Sequence, residues 1–204
     1  MEKLAKLLLF CCAFLLLASC SANLGSEKEQ VQAPLQPLSC IAVLPARPTV
    51  DQQDDRSLEV GAEFITDIMA RELGGNEKVR LLTESQDTSL GLAVSGGLSG
   101  MISAIGKETG CEAVLMTTVS RYRQREGTEY AVEEPASADF QMKLIHARTG
   151  SVLWAAEFRE TQESLLDNIL TYTKAQSRGF KWVTVEQLVE EGVKERLAAF
   201  PYIQ

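Results

Sequence analysis

Two residue types bound the chemistry open to this 204-residue chain: five cysteines and a single histidine, His146. One imidazole removes most two-histidine metal sites and leaves at most one general base. It sits at the end of an apolar strand pattern beside a turn, where an imidazole held by backbone groups is the commoner arrangement, so no nucleophilic triad is implied. Gly91-Leu92-Ala93-Val94-Ser95-Gly96-Gly97 has the first glycines of a phosphate loop but lacks the Lys and Ser/Thr that must follow, and Gly97-Leu98-Ser99-Gly100 misses the G-x-S-x-G elbow by one position. The acidic pairs Asp54-Asp55, Glu133-Glu134 and Glu190-Glu191 are adjacent residues. On a strand or helix such neighbours point in different directions and do not converge for acid/base work or for calcium. The expectation is therefore no catalytic residue, no metal site, no cofactor and no enzyme. One basic cluster is left, Arg121, Tyr122, Arg123 and Arg125, with Tyr130 close behind.

The composition is that of an ordinary globular protein, with 45% hydrophobic, 24% charged and 6% aromatic residues. Lys and Arg number 20 against 28 Asp and Glu, a net charge of −8, the wrong sign for holding nucleic acid through its phosphates. Nucleic acid is excluded as a partner class on that ground.

Lys3 and Lys6 precede Leu7 to Leu17 (LLLFCCAFLLL), an unbroken apolar run of 11 residues, in the charged-then-hydrophobic order of a secretory signal. As a helix the run spans about 16 Å against a hydrocarbon core of about 30 Å, too short to cross a membrane. It closes on Leu17-Ala18-Ser19-Cys20, which resembles the lipobox of bacterial lipoproteins. The resemblance implies cleavage after residue 19, acylation of Cys20 and, with Ser21 rather than aspartate next, sorting to the outer membrane of a Gram-negative cell, facing the periplasm. Cleavage removes Cys11 and Cys12 and leaves the chain acidic. Multiple acyl chains hold a protein to a bilayer with no transmembrane helix. Cys40 and Cys111 remain in an oxidising compartment, where they form one bridge or stay as two small buried thiols. Each immediately precedes a strand pattern, and strands joined through helices lie parallel with like ends together, which favours their proximity.

Residues 21–39 mix Ser, Gln and Glu with Gly25, Pro34 and Pro37 and show no period, the pattern of a tether with an r.m.s. reach of about 25 Å. The expected organisation is a signal peptide over 1–19, a lipidated cysteine and flexible tether over 20–39, and one α/β domain over 40–204. Within it, Cys40 to Pro45 reads as a buried strand. Gly61, Phe64, Ile65, Ile68, Met69 and Leu73 form a helix stripe stopped by Gly74-Gly75. Val79 to Leu82 is a second strand, 83–100 a Ser/Thr/Gly-rich loop, 101–109 a helix, and 113–125 a long strand. In 136–146, Ala136, Ala138, Phe140, Met142 and Leu144 alternate with Ser137, Asp139, Gln141 and Lys143, a strand with one core and one wet face. Arg148-Thr149-Gly150 turns the chain into a matching strand through Val152, Trp154, Ala156 and Phe158, whose aromatics are expected in the core. A helix stripe over 163–172 follows. The last helix opens on Thr184-Val185-Glu186-Gln187, a capping-box pattern, and runs through Leu188, Val189, Val193, Leu197 and Phe200. The fold class is α/β: a mixed sheet with an antiparallel hairpin and flanking helices.

That order, with IAVLP (41–45), IGKETGCEAVLMTTVSRY (105–122) and FQMKLIHARTGSVLWAAEF (140–158), resembles a family of outer-membrane lipoproteins. Its members include the curli-secretion channel lipoprotein, the lipoprotein B activator of penicillin-binding proteins and neisserial-type relatives, and the amino-terminal domain of TolB looks alike in fold. The motif rests on Leu144, Ile145, Thr149, Gly150 and Trp154; where relatives often carry aspartate after the isoleucine, this chain has His146. The resemblance implies a binding, scaffolding or assembly module of the cell envelope with a protein partner or a second copy of itself, and brings no catalytic residues. The alternative is a subunit of an oligomeric outer-membrane secretion channel, although Ser120 to Pro135 shows no lipid-facing apolar band. The expected working surface is the projecting segment 120–135, with Tyr122, Arg123, Arg125 and Tyr130 as partner-binding residues, since Tyr and Arg are enriched among interface anchors.

Overall fold

A computed structural model describes residues 37–49, 55–92, 97–162, 176, 178 and 181–203. The expected helix over 163–172 lies outside the described residues, as do the expected signal peptide and most of the expected tether.

A mixed sheet carries the domain. Its strands are β1 (Ile41–Val43), β2 (Arg47–Pro48), β3 (Val79–Leu81), β4 (Ala113–Arg123), β7 (Ser137–His146) and β8 (Val152–Thr161), in the order β3-β1-β4-β7-β8 with β2 also on β4. β5 (Glu126–Gly127) and β6 (Val132–Glu134) form a small antiparallel pair between β4 and β7. The described helices are α1 (Arg56–Leu73), α2 (Glu84–Leu92), α3 (Gly97–Thr109) and α4 (Val185–Ala198). β1 pairs parallel with β3 and β4, the arrangement that crossovers through helices impose, whereas β4, β7 and β8 follow one another antiparallel.

Period-2 alternation splits the core between the two faces of this sheet. Ile41, Val43, Ala113, Leu115, Phe140, Met142 and Leu144 face α1 and α4, while Ala42, Leu44, Val114 and Ile145 face Ile102 and Ile105 of α3. α1 starts where the Asp55 carboxylate accepts the Ser57 N–H at 2.8 Å, and buries Leu58, Ala62, Ile65, Ile68, Met69 and Leu73. α4 starts in a complete capping box between Thr184 and Gln187 and buries Leu188, Val189, Val193 and Leu197.

Four local expectations need correction. The segment 83–100 holds α2 and the start of α3 rather than a loop. Its helical start is a second capping box, in which Thr83 N–H donates to Gln86 Oε1 at 3.0 Å and Gln86 N–H to Thr83 Oγ1 at 3.4 Å, a pattern masked by the Ser/Thr/Gly composition. Leu38, placed in the tether by its neighbours, is buried in the core. Trp154 is only partly buried, tilted against Phe200 with ring centroids 4.8 Å apart, because β8 is the edge of the sheet; Val152 beside it is 56% exposed. Ser137 and Asp139, on the face expected to be wet, are buried, and the register sets Arg159 opposite Asp139.

Tyr122 shows how the long strand is phased. From Ala113 to Val119 the odd-numbered residues face the core, but the register shifts between Val119 and Arg121, so that beyond this bulge Tyr122 turns inward and Arg121 and Arg123 outward. The Tyr122 ring lies on α1 at Gly61, where a Cβ would stand 2.6 Å from the ring, so only glycine permits the approach. Gly192 of α4 does the same for Phe158, a Cβ there coming 2.7 Å from the ring.

Phe158 is 3% exposed and stacks on Phe140 at 5.1 Å. Phe158→Ala is therefore expected to lower stability by about 3–5 kcal/mol and Trp154→Ala by less, read by chemical denaturation. Equal effects would contradict the edge placement of Trp154. Burial pushes the Tyr122 phenol up to about 12, with the Glu186 carboxylate adding to the shift. A phenol raised in the folded state contributes stability below the ordinary tyrosine range that is lost as pH climbs through about 12. In an ultraviolet titration of the folded chain Tyr122 should ionise late, and Tyr122→Phe should remove that component.

Candidate functional site

The strands give the domain two ends. At one end lie the starts of β1 and β4; at the other, about 33 Å away along the 11 residues of β4, lies the hairpin apex.

Cys40 and Cys111 are bonded to each other at the first end, with Cα atoms 4.6 Å apart and a sequence separation of 71. Beside the bridge the Glu112 carboxylate accepts from the Ser39 backbone N–H at 2.6 Å and from the Ser39 hydroxyl at 3.0 Å. These two bonds hold the Glu112 carboxyl below the usual range, and His146 lowers it further. Bridge and carboxylate together fasten residues 39 and 40, where the chain enters the sheet, to the central strand. His146 closes the adjacent turn: its Nδ1 accepts the backbone N–H groups of Arg148 and Thr149, both at 3.2 Å. With both of these bonds made to Nδ1, that nitrogen is not available as a base.

The far end differs from the expectation of a projecting, freely presented hairpin. Tyr122 is 8% exposed and belongs to the core, for the reason of strand phase given above. Arg125 donates to the Trp182 carbonyl at 2.7 Å, and Trp182 N–H donates to the Glu129 carbonyl at 2.9 Å. Gln124 bridges to the first turn of α4, its Oε1 accepting the Val185 N–H at 3.1 Å and its Nε2 donating to Glu186 at 3.0 Å. Burial pushes the Glu186 carboxyl up, but bonds from its own backbone, Thr184, Gln124 and Tyr122 outweigh that and hold it below the usual range. Tyr130 is 70% exposed, with the Lys181 ammonium 5.3 Å from its ring centre and Lys181 paired to Glu129 at 3.2 Å. Arg123 is exposed and pairs with Glu134 at 3.2 Å. Of the four residues expected to bind a partner, the structure thus keeps Arg123 and Tyr130 on the surface, uses Arg125 to fasten the hairpin to the chain leading into α4, and buries Tyr122.

The sheet face opposite α1 and α4 brings together residues that the sequence reading treated separately. Register sets Arg121 opposite Asp139 and Asp139 opposite Arg159, and Arg159 Nε donates to the Asp139 carboxylate at 2.6 Å. Arg159 also pairs with Glu157 at 2.8 Å. Lys143 stands two residue pairs along the same face, exposed. Lys143 and Arg159 join this surface: the polar alternation in 136–146 and 152–161 carries the signal, but only strand register shows that they share a face with Arg121 and Arg123. Among the described residues no group of three His, Cys, Asp or Glu side chains could hold a metal ion, and no helix is long and apolar enough to cross a membrane. Cys20 lies outside the described residues.

No protein-family model matches this chain, and no curated protein does. Solved structures similar to it include the PelC dodecamer from Paraburkholderia phytofirmans, at 14% identity over 85% of this chain and 95% of that one with a TM-score of 0.48. The LpoB C-terminal domain from Escherichia coli is similar at 16% identity over 65% and 90%, TM-score 0.39. Lipoprotein GNA1162 from Neisseria meningitidis is similar at 16% identity over 69% and 96%, TM-score 0.38.

Proposed function

We propose that this chain is a lipid-anchored lipoprotein on the periplasmic side of the outer membrane, a non-catalytic binding, scaffolding or assembly module for cell-envelope machinery. The observation that carries the reading is Leu17-Ala18-Ser19-Cys20 closing an 11-residue apolar run behind Lys3 and Lys6. Acyl chains on Cys20 hold the mature chain, residues 21–36 serve as the tether, and the domain from Pro37 onward does the binding. The fastening of residues 39 and 40 to β4 supports this division, because a tether that bears load needs a firm entry point. The engagement of His146 Nδ1 by two backbone N–H groups argues against general-base chemistry.

Cys20→Ala should leave uncleaved or soluble protein without lipid. Normal processing, with the protein kept in the membrane fraction through salt and carbonate washes, would falsify the anchor. The bridge between Cys40 and Cys111 is proposed for the mature protein in its oxidising compartment. Closing a loop of 71 residues stabilises by about 4 kcal/mol on the chain-entropy model. Cys40→Ser/Cys111→Ser should lower the unfolding free energy by up to that amount, and two free thiols in the mass spectrum of non-reduced protein would refute the bridge.

A further inference from the structure

Each backbone N–H from His146 to Ser151 has an acceptor, and the two at the apex of the turn share one imidazole. His146 N–H donates to the Ser151 carbonyl at 2.9 Å, Ala147 N–H to the Glu112 carbonyl at 2.8 Å and Gly150 N–H to the His146 carbonyl at 2.9 Å, while Ser151 N–H donates to Thr149 Oγ1 at 3.4 Å. The Arg148 and Thr149 N–H groups donate to His146 Nδ1, at 3.2 Å each. Asn, a common residue in such turns, offers a side-chain oxygen that accepts at every pH. An imidazole nitrogen accepts only while it carries no proton.

Two donors converging on Nδ1 fix the neutral ring as the tautomer with its proton on Nε2. Once Nδ1 takes a proton from solvent it becomes a third donor facing the other two, and the ring and the apex must part. Solvent has access, because His146 is half-buried and Arg148, Thr149 and Gly150 are exposed. The charged groups about the ring are Glu112 ahead of β4, whose carboxyl the charge of His146 lowers, and Arg148 of the turn itself. Ala113, its partner on β4, and the residues that α3 and β8 bring to the turn, Gly106, Ser99 and Ser151, are uncharged. The remaining four bonds do not involve the ring. Ala147, seated against Gly106 of α3, stays in the core with Ile102, Ile105 and Ile145.

We propose that His146 is a pH-operated latch on the turn between β7 and β8. The neutral ring holds the Arg148 and Thr149 N–H groups, and protonation at Nδ1 releases both, opening the apex while the strands on either side stay paired. The latch is closed at higher pH and open at lower pH. In the open form the apex presents two released amide donors and an imidazolium beside Arg148, a surface that the closed form lacks.

The test is nuclear magnetic resonance on the full chain as purified from cells, labelled with 15N, where a single histidine gives one imidazole signal to follow. Near the upper end of a titration from about pH 8 to about pH 5, Nδ1 should show the shift of a bare nitrogen and Nε2 that of a protonated one. As the ring is protonated, the Arg148 and Thr149 amide signals should move along the same curve. Their protection from hydrogen exchange, corrected for the intrinsic pH dependence, should fall by about ten-fold, whereas Ala147 should keep its protection. His146→Asn retains an acceptor that does not titrate, so in that variant both amides should stay protected throughout. A neutral ring with its proton on Nδ1, a ring that takes no proton before the chain unfolds, amides at 148 and 149 that ignore the titration, or the same pH dependence in His146→Asn would overturn the latch. None of these readouts depends on acylation or on a bound partner, so failure of the latch and failure of the anchor are separate results.

Discussion

The register of β4 is the constraint on which the rest of the domain depends. This strand takes β1 and β2 in parallel on one edge and β7 antiparallel on the other, so it joins the crossover half of the fold to the hairpin half. Both faces of its first half are buried, against α1 on one side and α3 on the other. The bulge after Val119 then changes its phase once, and that change decides which side chains of the arginine cluster serve the core and which serve the surface. Without it, continued alternation would drive Arg121 and Arg123 toward α1 and expose Tyr122.

Much of this architecture is legible in the sequence because it rests on periodicity and capping. The stripe of α1, the Thr184 capping box, the alternation of 136–146 and the turn at 148–150 each follow from local pattern, and the elements form where those patterns predict. The misses have physical causes of other kinds. A bulge leaves no local signature, so Tyr122 reads as a surface residue in the sequence. Edge position is a property of sheet order, so Trp154 reads like its buried neighbour Phe158. The Thr83 and Gln86 cap sits in a segment whose composition suggests a loop. Lys143 and Arg159 belong to one surface only through strand pairing across β7.

The arginine cluster illustrates the difference between composition and environment. As a string it is the most basic stretch of an acidic chain. In the fold Arg123 and Arg159 face carboxylates, and Arg125 holds a backbone carbonyl of the segment leading into α4. Surface ion pairs of this kind contribute little to stability; the Arg125 bond is what fixes the hairpin against the chain that starts α4.

In the function proposed above, the cysteine that ends the apolar leader is the anchor, and the folded domain is what it would deliver to the periplasmic side of the membrane. The most direct measurement is intact-mass and amino-terminal peptide analysis of the chain extracted from membranes. The account predicts a mature chain that begins at Cys20 and carries fatty acyl mass on that residue. A membrane-extracted chain that begins elsewhere, or one with an unmodified Cys20, would contradict it.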